Sequence, residues 1–348
     1  MKRLLALLMM LCMLLLCACG GKEDTTEDPV DPEMNQQQET DPTPPPVVYR
    51  NPLNGEVIDA PYEGRIFAVT IDNIDPALPH HGISQADIFV EMYVNHYATR
   101  GLAIFTDIQA LSSVGPIRST RYNFTDLALA YDMIVVHASG SEMVRDDMEA
   151  EGVDNIFATG WAGYRDEARY NNGYAWEYTL FVNGETAAAA AVEDGYSVTA
   201  PDKEYGLQFT EDGTPDGGST ANTISIDYSL DGYVKNSTMK YDAATQKYVY
   251  WQYGMEMIDE NNNQPEGFRN VIVLLAETVN DGVYHVADLY GTGTGYFACG
   301  GKMIPILWSH EGKYDPIYFT LTDGTPLELG VGSTYMAIAP KESPVIAS

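Results

Sequence analysis

The strongest constraint on the fold is the length and make-up of the apolar runs. "RIFAVTIDN" (65–73), "ADIFVEMYV" (86–94), "LAIFTDI" (102–108) and "DMIVVHA" (132–138) are short, rich in β-branched and aromatic residues, and flanked by polar ones. That pattern predicts strands. Between or after them, "STRYNFTDLALAYD" (119–132), "SEMVRDDMEAE" (141–151) and "GETAAAAAVEDG" (184–195) are sequences of helix formers and predict helices. Residues 50–204 therefore read as an α/β module with a mixed sheet. From residue 205 onward the helical signal stops. "ISIDYS", "STMKYDAATQKYVYWQ", "NVIVLLAETV", "VYHVADLYG", "GYFACGGKMIPILW", "PIYFTL" and "TYMAIAP" follow one another between turns of Gly, Asp and Asn, so residues 205–348 read as a mainly antiparallel β module.

The start of the chain gives an address. Lys2 and Arg3 precede an uncharged run, Leu4 to Ala18, that is shorter than the ~20 residues a membrane-crossing helix needs, which predicts a cleaved signal over residues 1–18. The run ends in "LCAC", which resembles a bacterial lipobox. Cleavage before Cys19 would leave it to be diacylated with palmitate-type chains, and two chains suffice for stable anchoring in a membrane. Residues 20–49 carry eight acidic residues against Lys22 alone and end near "PTPPP", so residues 19–49 predict a lipidated cysteine followed by a disordered acidic tether. Cys12 and Cys17 fall in the signal, and Cys299 alone is left for the folded part. No internal disulfide is expected, and Cys299 reads as a small buried apolar residue.

The formal charge of -31 argues against nucleic acid as a partner. Within it the cations are divided by type: residues 50–200 contain eight arginines and no lysine, whereas residues 201–348 contain seven lysines and Arg269 alone. Arginine is the planar fork that grips carboxylates and phosphates, so the first module spends its cations where geometry matters. "GPIRSTR" places Arg118 and Arg121 beside a predicted helix start, with Ser119 or Thr120 as its cap. Cations there oppose the helix dipole unless an anion compensates. The anion is either internal, with Asp72, Glu91 and Asp126 as candidates, or a bound ligand.

Strand ends supply further candidates. Asp72 and Asn73 leave the first strand, and His137, Ser139 and Ser141 lie at or beyond the fourth, where α/β sheets form ligand crevices. A catalytic reading would use His137 as base, Ser139 or Ser141 as nucleophile and Asp72 as orienting carboxylate, although Ser139 with Glu142 equally fits a capping box. Asp72 with Glu91 could form the carboxylate pair of a glycoside hydrolase. The stretch "WAGYRDEARYNNGYAWEYTLF" (161–181) adds Trp161, Trp176, Arg165 and Arg169, flat faces and forked donors suited to sugars with acidic substituents. His80-His81 lacks metal-ligand spacing, and neither a metal nor a cofactor is expected.

Together "AVTIDN", "GISQADIFVE", "GPIRSTR", "YDMIVVHASGS", "YRDEARY" and "VADLYGTGTGYFACGGKMIPILW" resemble, in order and spacing, the YerB-like lipoproteins of Gram-positive bacteria over about residues 50–340. The resemblance implies an α/β part followed by a β part, anchored on the outer face of the cytoplasmic membrane. It also implies that Asp72, Asn73, Gln85, Glu91, Arg118, Arg121, His137, Arg165 and Arg169 belong to shared motifs. Where relatives tend to have a histidine before an apolar pair, this chain has "EYTLF", with Glu177 and Tyr178. The family is one of unknown function and brings no reaction. The expectation is a membrane-anchored envelope protein binding an anionic or glycan ligand, such as a cell-wall polymer or peptidoglycan fragment, through Asp72, Asn73, Arg118, Ser119, Arg121, His137, Arg165, Arg169, Trp161 and Trp176. The rivals are a wall hydrolase or transferase using Asp72, Glu91 or His137, and a protein-interaction scaffold.

Overall fold

One sheet runs through both halves of the chain. The computed structural model describes residues 47–95, 98–229 and 234–348, so the signal, Cys19 and the tether to Pro46 lie outside the described residues. Strands β1 (Phe67–Asp72), β2 (Ile88–Asn95), β3 (Ala98–Phe105), β4 (Ile134–His137) and β5 (Asn155–Phe157) come from the first half. The second half supplies β6 (Thr223–Asp227), β7 (Asn236–Asp242), β8 (Lys247–Gln252), β9 (Asn270–Ala276), β10 (Gly291–Cys299), β11 (Lys302–His310) and β12 (Thr334–Pro340).

The main sheet has the order β11-β10-β9-β12-β2-β3-β1-β4-β5 and is mixed. The join between halves is parallel, with β12 paired to β9 on one side and to β2 on the other. Among the described residues, 47–348 form one compact unit. A second, antiparallel sheet, β8-β7-β6 closed by Val345–Ala347, covers one face of the first.

Alternation along β2 shows the layering. Phe89 and Tyr93 join Tyr228, Tyr248, Tyr250, Phe268 and Tyr335 in the layer shared with the second sheet. Ile88, Val90, Met92 and Val94 join Phe124 and Leu127 of helix α1 (Tyr122–Tyr131) on the opposite face. Both faces are covered, so β1, β3 and β12 are buried at every position, and each large apolar side chain there contributes roughly 1.5–3 kcal/mol. Period 2 makes Glu91 share the Phe89 face, which places a carboxylate in an apolar layer.

The helices follow the sequence signals, with two corrections at their caps. α2 (Glu142–Glu151) is capped by Ser141, whose Oγ accepts from Val144 N at 3.3 Å, so the Ser139–Glu142 capping box does not form. α1 has Arg121 rather than Ser119 or Thr120 at its N-cap, no side chain capping it and no acidic residue in its first turn. α3 (Glu167–Asn171) is short and was not signalled by periodicity, while α4 (Gly184–Glu193) takes its cap from Asn183.

Candidate functional site: an arginine cluster at the end of β1

The segment Pro116–Arg118 runs alongside the end of β1. Asp72 N donates to Pro116 O at 2.9 Å, Arg118 N to Thr70 O at 3.1 Å, and Ala138 N to Arg118 O at 3.0 Å. Gly115 makes the turn into it at φ +152, where a Cβ would stand 2.7 Å from the Phe181 ring and 2.9 Å from Leu180 O. A side chain at that position would push Arg118 out of place.

Asp72 is the pivot and has no exposed surface. Its register partner on β3 is Arg100, whose Nη1 donates to Asp72 Oδ1 at 3.1 Å. Arg118 Nε stands 3.3 Å from Asp72 Oδ2 in an ion pair, but Oδ2 accepts no hydrogen bond. Arg121 adds a third guanidinium: its Nη1 donates to Ser119 O at 3.1 Å and Thr120 O at 2.7 Å, and its Cζ lies 4.8 Å from the Tyr284 ring centre. Its Nε is buried without a partner, as is the Thr120 hydroxyl. Burial pushes the Arg100 guanidinium down to about 9 against the pull of Asp72, with Arg121 and Arg118 adding to the depression. Burial also lowers Arg121, opposed by Tyr284 and Asp72. Burial is the main cause of both depressions, and the neighbouring guanidiniums add to it.

The cluster opens toward an aromatic rim. Arg118 keeps 30% of its side chain exposed, lies 5.8 Å from the Tyr178 ring centre, and has no hydrogen bond from its Nη atoms to any described residue. Arg165 stacks 4.7 Å from the Trp176 ring centre and donates to Trp176 O at 2.6 Å. Burial lowers its pKa and Arg118 lowers it further, so the two cations share one electrostatic neighbourhood. Trp161, Tyr164, Tyr170 and Trp176 are all exposed in the surrounding stretch, Trp176 at 56%.

The structure sorts the other candidates away from this opening. Glu91, with no exposed surface, is held by six side chains. Its Oε1 accepts from Asn73 Nδ2 at 2.9 Å, Thr99 Oγ1 at 2.6 Å and Lys235 Nζ at 3.2 Å. Its Oε2 accepts from Ser237 at 2.7 Å, Tyr250 at 2.8 Å and Tyr335. Burial pushes this carboxyl up, but Lys235 and the hydroxyls of Thr99, Tyr335 and Ser237 outweigh burial and hold it below the usual range. A carboxylate so fully coordinated is ionised and inaccessible, which removes it from any general acid role. Asn73 is equally spent, bonded to Glu91, Thr99, Tyr250 and Gln252.

His137 is buried, with Nδ1 3.0 Å from Ser139 O and Nε2 3.1 Å from Asn155 Oδ1, and burial lowers its pKa. The nearby groove of about 690 Å³ is lined by Glu142, Asp146, Glu149, Asp154 and Asp194 as well as Arg145, the wrong sign for an anion. Ser139 Oγ bonds Gly140 O and Ser141 caps α2, so neither serine meets the imidazole as a nucleophile would. Arg169 is a brace rather than a ligand fork: it is 5% exposed and donates to Pro79 O at 3.0 Å and Ala77 O at 2.8 Å. Ser119 contributes only its carbonyl, to Arg121. Of the proposed internal anions, Asp126 bonds Tyr290 and Asn123 instead of an arginine. Cys299 is buried and its thiol is pushed up to about 11 by burial, which leaves it inert.

Sequence reasoning missed Arg100 and Lys235. The signal for Arg100 is present in "HYATRGLAIF", where period 2 continues the third strand back through Thr99 and Arg100, but their polarity hides it. It also missed a chain of contacts across the halves, in which His81 links Ser113 Oγ at 3.0 Å to Glu260 Oε2 at 2.9 Å. The order is that of a nucleophile, base and carboxylate. Yet Ser113 is 6% exposed and also bonds the Tyr164 hydroxyl at 2.8 Å, so the serine ties segments together and only the Glu260 end of the chain faces solvent.

With the geometry in place, the comparisons define the class. Residues 53–197 match the N-terminal domain and residues 224–336 the C-terminal domain of the family described as "Protein of unknown function (DUF3048)", and the chain belongs to that family. It is 25% identical over 287 residues to a Bacillus subtilis (strain 168) protein named "Putative lipoprotein YerB", covering 80% of this chain and 82% of the relative. The crystal structure of YerB from Bacillus subtilis shares the fold, with a TM-score of 0.74 at 24% identity over 85% of this chain and 99% of the other. The relative's name supports a lipoprotein nature. No helix among the described residues is long and apolar enough to cross a membrane.

Proposed function

We propose that this chain is a lipoprotein held on the outer face of the cytoplasmic membrane through diacylated Cys19, and that it binds an anionic or glycan component of the cell envelope in the arginine and aromatic opening. The observation that carries the reading is the charge imbalance. Arg100, Arg118, Arg121 and Arg165 lie in one neighbourhood with Asp72 and Glu177, two more guanidiniums than carboxylates in a chain of net charge -31. A structural cluster would close its own charge, as the one around Glu91 does; this one leaves Arg118 partly exposed beside Tyr178, with Arg165 stacked on Trp176 nearby. The exposed rings add faces on which sugars stack.

The burial of Asp72, Glu91 and His137 favours binding over hydrolysis. Co-sedimentation of the full-length chain in detergent with purified cell walls tests the reading: wild type should be retained and Arg118→Gln released at equal protein stability. Retention unchanged in Arg118→Gln, or soluble fragments released by wild type alone, would overturn it.

A further inference from the structure

The second sheet packs one face against the first and leaves the other open. Along β7, Ser237 and Met239 are buried toward the main sheet, so period 2 turns Asn236, Thr238 and Lys240 outward. Along β8, Tyr248, Tyr250 and Gln252 are buried in the same way, and Trp251 faces out directly across from Thr238. These four residues, with Tyr253 and the exposed Val234, line a groove of about 400 Å³. The buried Lys235 and Gln252 also line it, but they are bonded to each other, and Lys235 to Glu91, so they have nothing left for a ligand.

The outward groups are free, and their kinds converge. The Asn236 amide, the Thr238 hydroxyl and the Trp251 indole N–H make no hydrogen bond to any described residue. Lys240 makes no ion pair with any described residue; its ammonium rests 3.3 Å from the centre of the Trp251 ring, a contact that leaves its charge uncompensated. Tyr253 and Gly254, with φ of +51 and +75, make the two-residue turn from Gln252 to Met255. Asn or Asp would take the first turn position at less cost. Tyrosine there brings a ring to the groove edge, held by its hydroxyl, which donates to Asn73 O at 3.2 Å. Flat rings flanked by short neutral donors and acceptors suit a sugar, which stacks through its C–H face and bonds sideways through its hydroxyls. The groove's sign adds a second requirement. Those of about 690, 430 and 320 Å³ elsewhere on the described residues all carry carboxylates, Asp154, Asp87 and Glu185 among them, as a formal charge of -31 leads one to expect. This one is lined by no carboxylate and by the unpaired Lys240, so it favours a ligand of negative charge.

We infer that this groove on the open face of the second sheet is a further ligand site, which takes a sugar unit bearing a negatively charged substituent. The sugar ring lies against Trp251 and Tyr253, its hydroxyls meet Asn236 and Thr238, and Lys240 leaves the indole face to pair with the charge. The site shares no residue with the arginine opening and stands whether or not that opening binds.

The test is calorimetry on the full-length chain in detergent at fixed ionic strength, with Arg118→Gln in every protein so that the arginine opening is disabled. The probes are a tetramer alternating glucuronate with N-acetylglucosamine, glucose 1-phosphate, a neutral N-acetylglucosamine tetramer, and phosphatidylglycerol in mixed micelles. At least one charged sugar should bind one per chain, the glucuronate tetramer if the substituent is a carboxylate and glucose 1-phosphate if it is a phosphate. The neutral tetramer should bind at least about tenfold more weakly than that probe. Adding Lys240→Gln should abolish this preference by weakening the charged probe alone, whereas Trp251→Ala should weaken charged and neutral sugars together. Lys313→Gln, remote from the groove, should change neither. Charged and neutral sugars binding equally, charged binding that ignores Lys240→Gln, or no saturable heat from either charged sugar would overturn the inference. Lys240-dependent heat with phosphatidylglycerol and none with the sugars would overturn it in favour of a membrane contact. Wall retention, which turns on Arg118, is read separately, so either site can fail without the other.

Discussion

Two polar clusters sit about the same β1–β3 strands and differ in how their charge closes. Around Glu91, each carboxylate oxygen has three donors, and its cation, Lys235, is itself bonded to Gln252 at 2.5 Å and Ser237 at 3.3 Å. Around Asp72, several guanidiniums meet one carboxylate, and Asp72 Oδ2, Arg100 Nε and Arg121 Nε are left without hydrogen bonds. The first cluster has nothing further to bind. The second is short of negative charge, because Arg100, Arg118 and Arg121 share the Asp72 neighbourhood and Arg118 alone of them keeps exposed donors. Burial alone therefore does not separate structure from function; the balance of donors, acceptors and charge does.

The comparison can be broken most severely at Glu91. Glu91→Gln should cost about 3–5 kcal/mol in urea unfolding, because it strands the buried Lys235 ammonium; a loss below 1 kcal/mol would mean the cluster is not the clasp described. The same carboxylate predicts a pH response. Its folded pKa lies below the ordinary value, so its stabilisation is full above the usual carboxylate range and lost as pH falls through the depressed folded value. Glu91→Gln should flatten that acid limb of the stability profile relative to wild type.

Arg169→Ala should cost about 1.5–3 kcal/mol, since it removes charged donors from two buried carbonyls, and leave wall retention alone. Arg118→Gln should do the reverse, changing unfolding free energy by less than about 1 kcal/mol while abolishing retention, because the guanidinium is partly solvated. The smallest effect is expected of Trp176→Ala, which should leave stability within about 0.5 kcal/mol and weaken wall retention by a few-fold as its exposed face is lost. If Arg118→Gln destabilises as much as Arg169→Ala, the distinction between brace and fork disappears.

The strands were legible wherever period and polarity agreed. "RIFAVTIDN" and "DMIVVHA" became Phe67–Asp72 and Ile134–His137, and the three predicted helices formed within a few residues of their expected limits. The beginning of β3 was hidden because Thr99 and Arg100 are polar in a fully buried strand, tolerated only because Glu91 and Asp72 await them. That the arginine motif needs an anion was legible, because arginine beside a helix start is anomalous in itself. Its internal partner was among the candidates, and Asp72 took that role. The demotion of Glu91, Asn73 and Arg169 was not legible, because their partners, such as Lys235, Tyr250, Gln252 and the carbonyls of Ala77 and Pro79, come from remote segments. Local sequence states what a side chain offers; only the tertiary fold states who has already accepted it.

The parallel join has a consequence for how such a chain is made. β12 occupies Thr334–Pro340, almost the end of the sequence, yet it lies in the middle of the main sheet with β2 hydrogen-bonded along one edge and β9 along the other. Until those last residues are delivered, β2 presents a long apolar strand with open backbone groups, a template for pairing with other chains. A prematurely terminated product would carry that open edge permanently. The order of synthesis thus sets the order of completion, and the strand of the main sheet that is made last, Thr334–Pro340, acts as the latch that makes the rest safe to leave in the open.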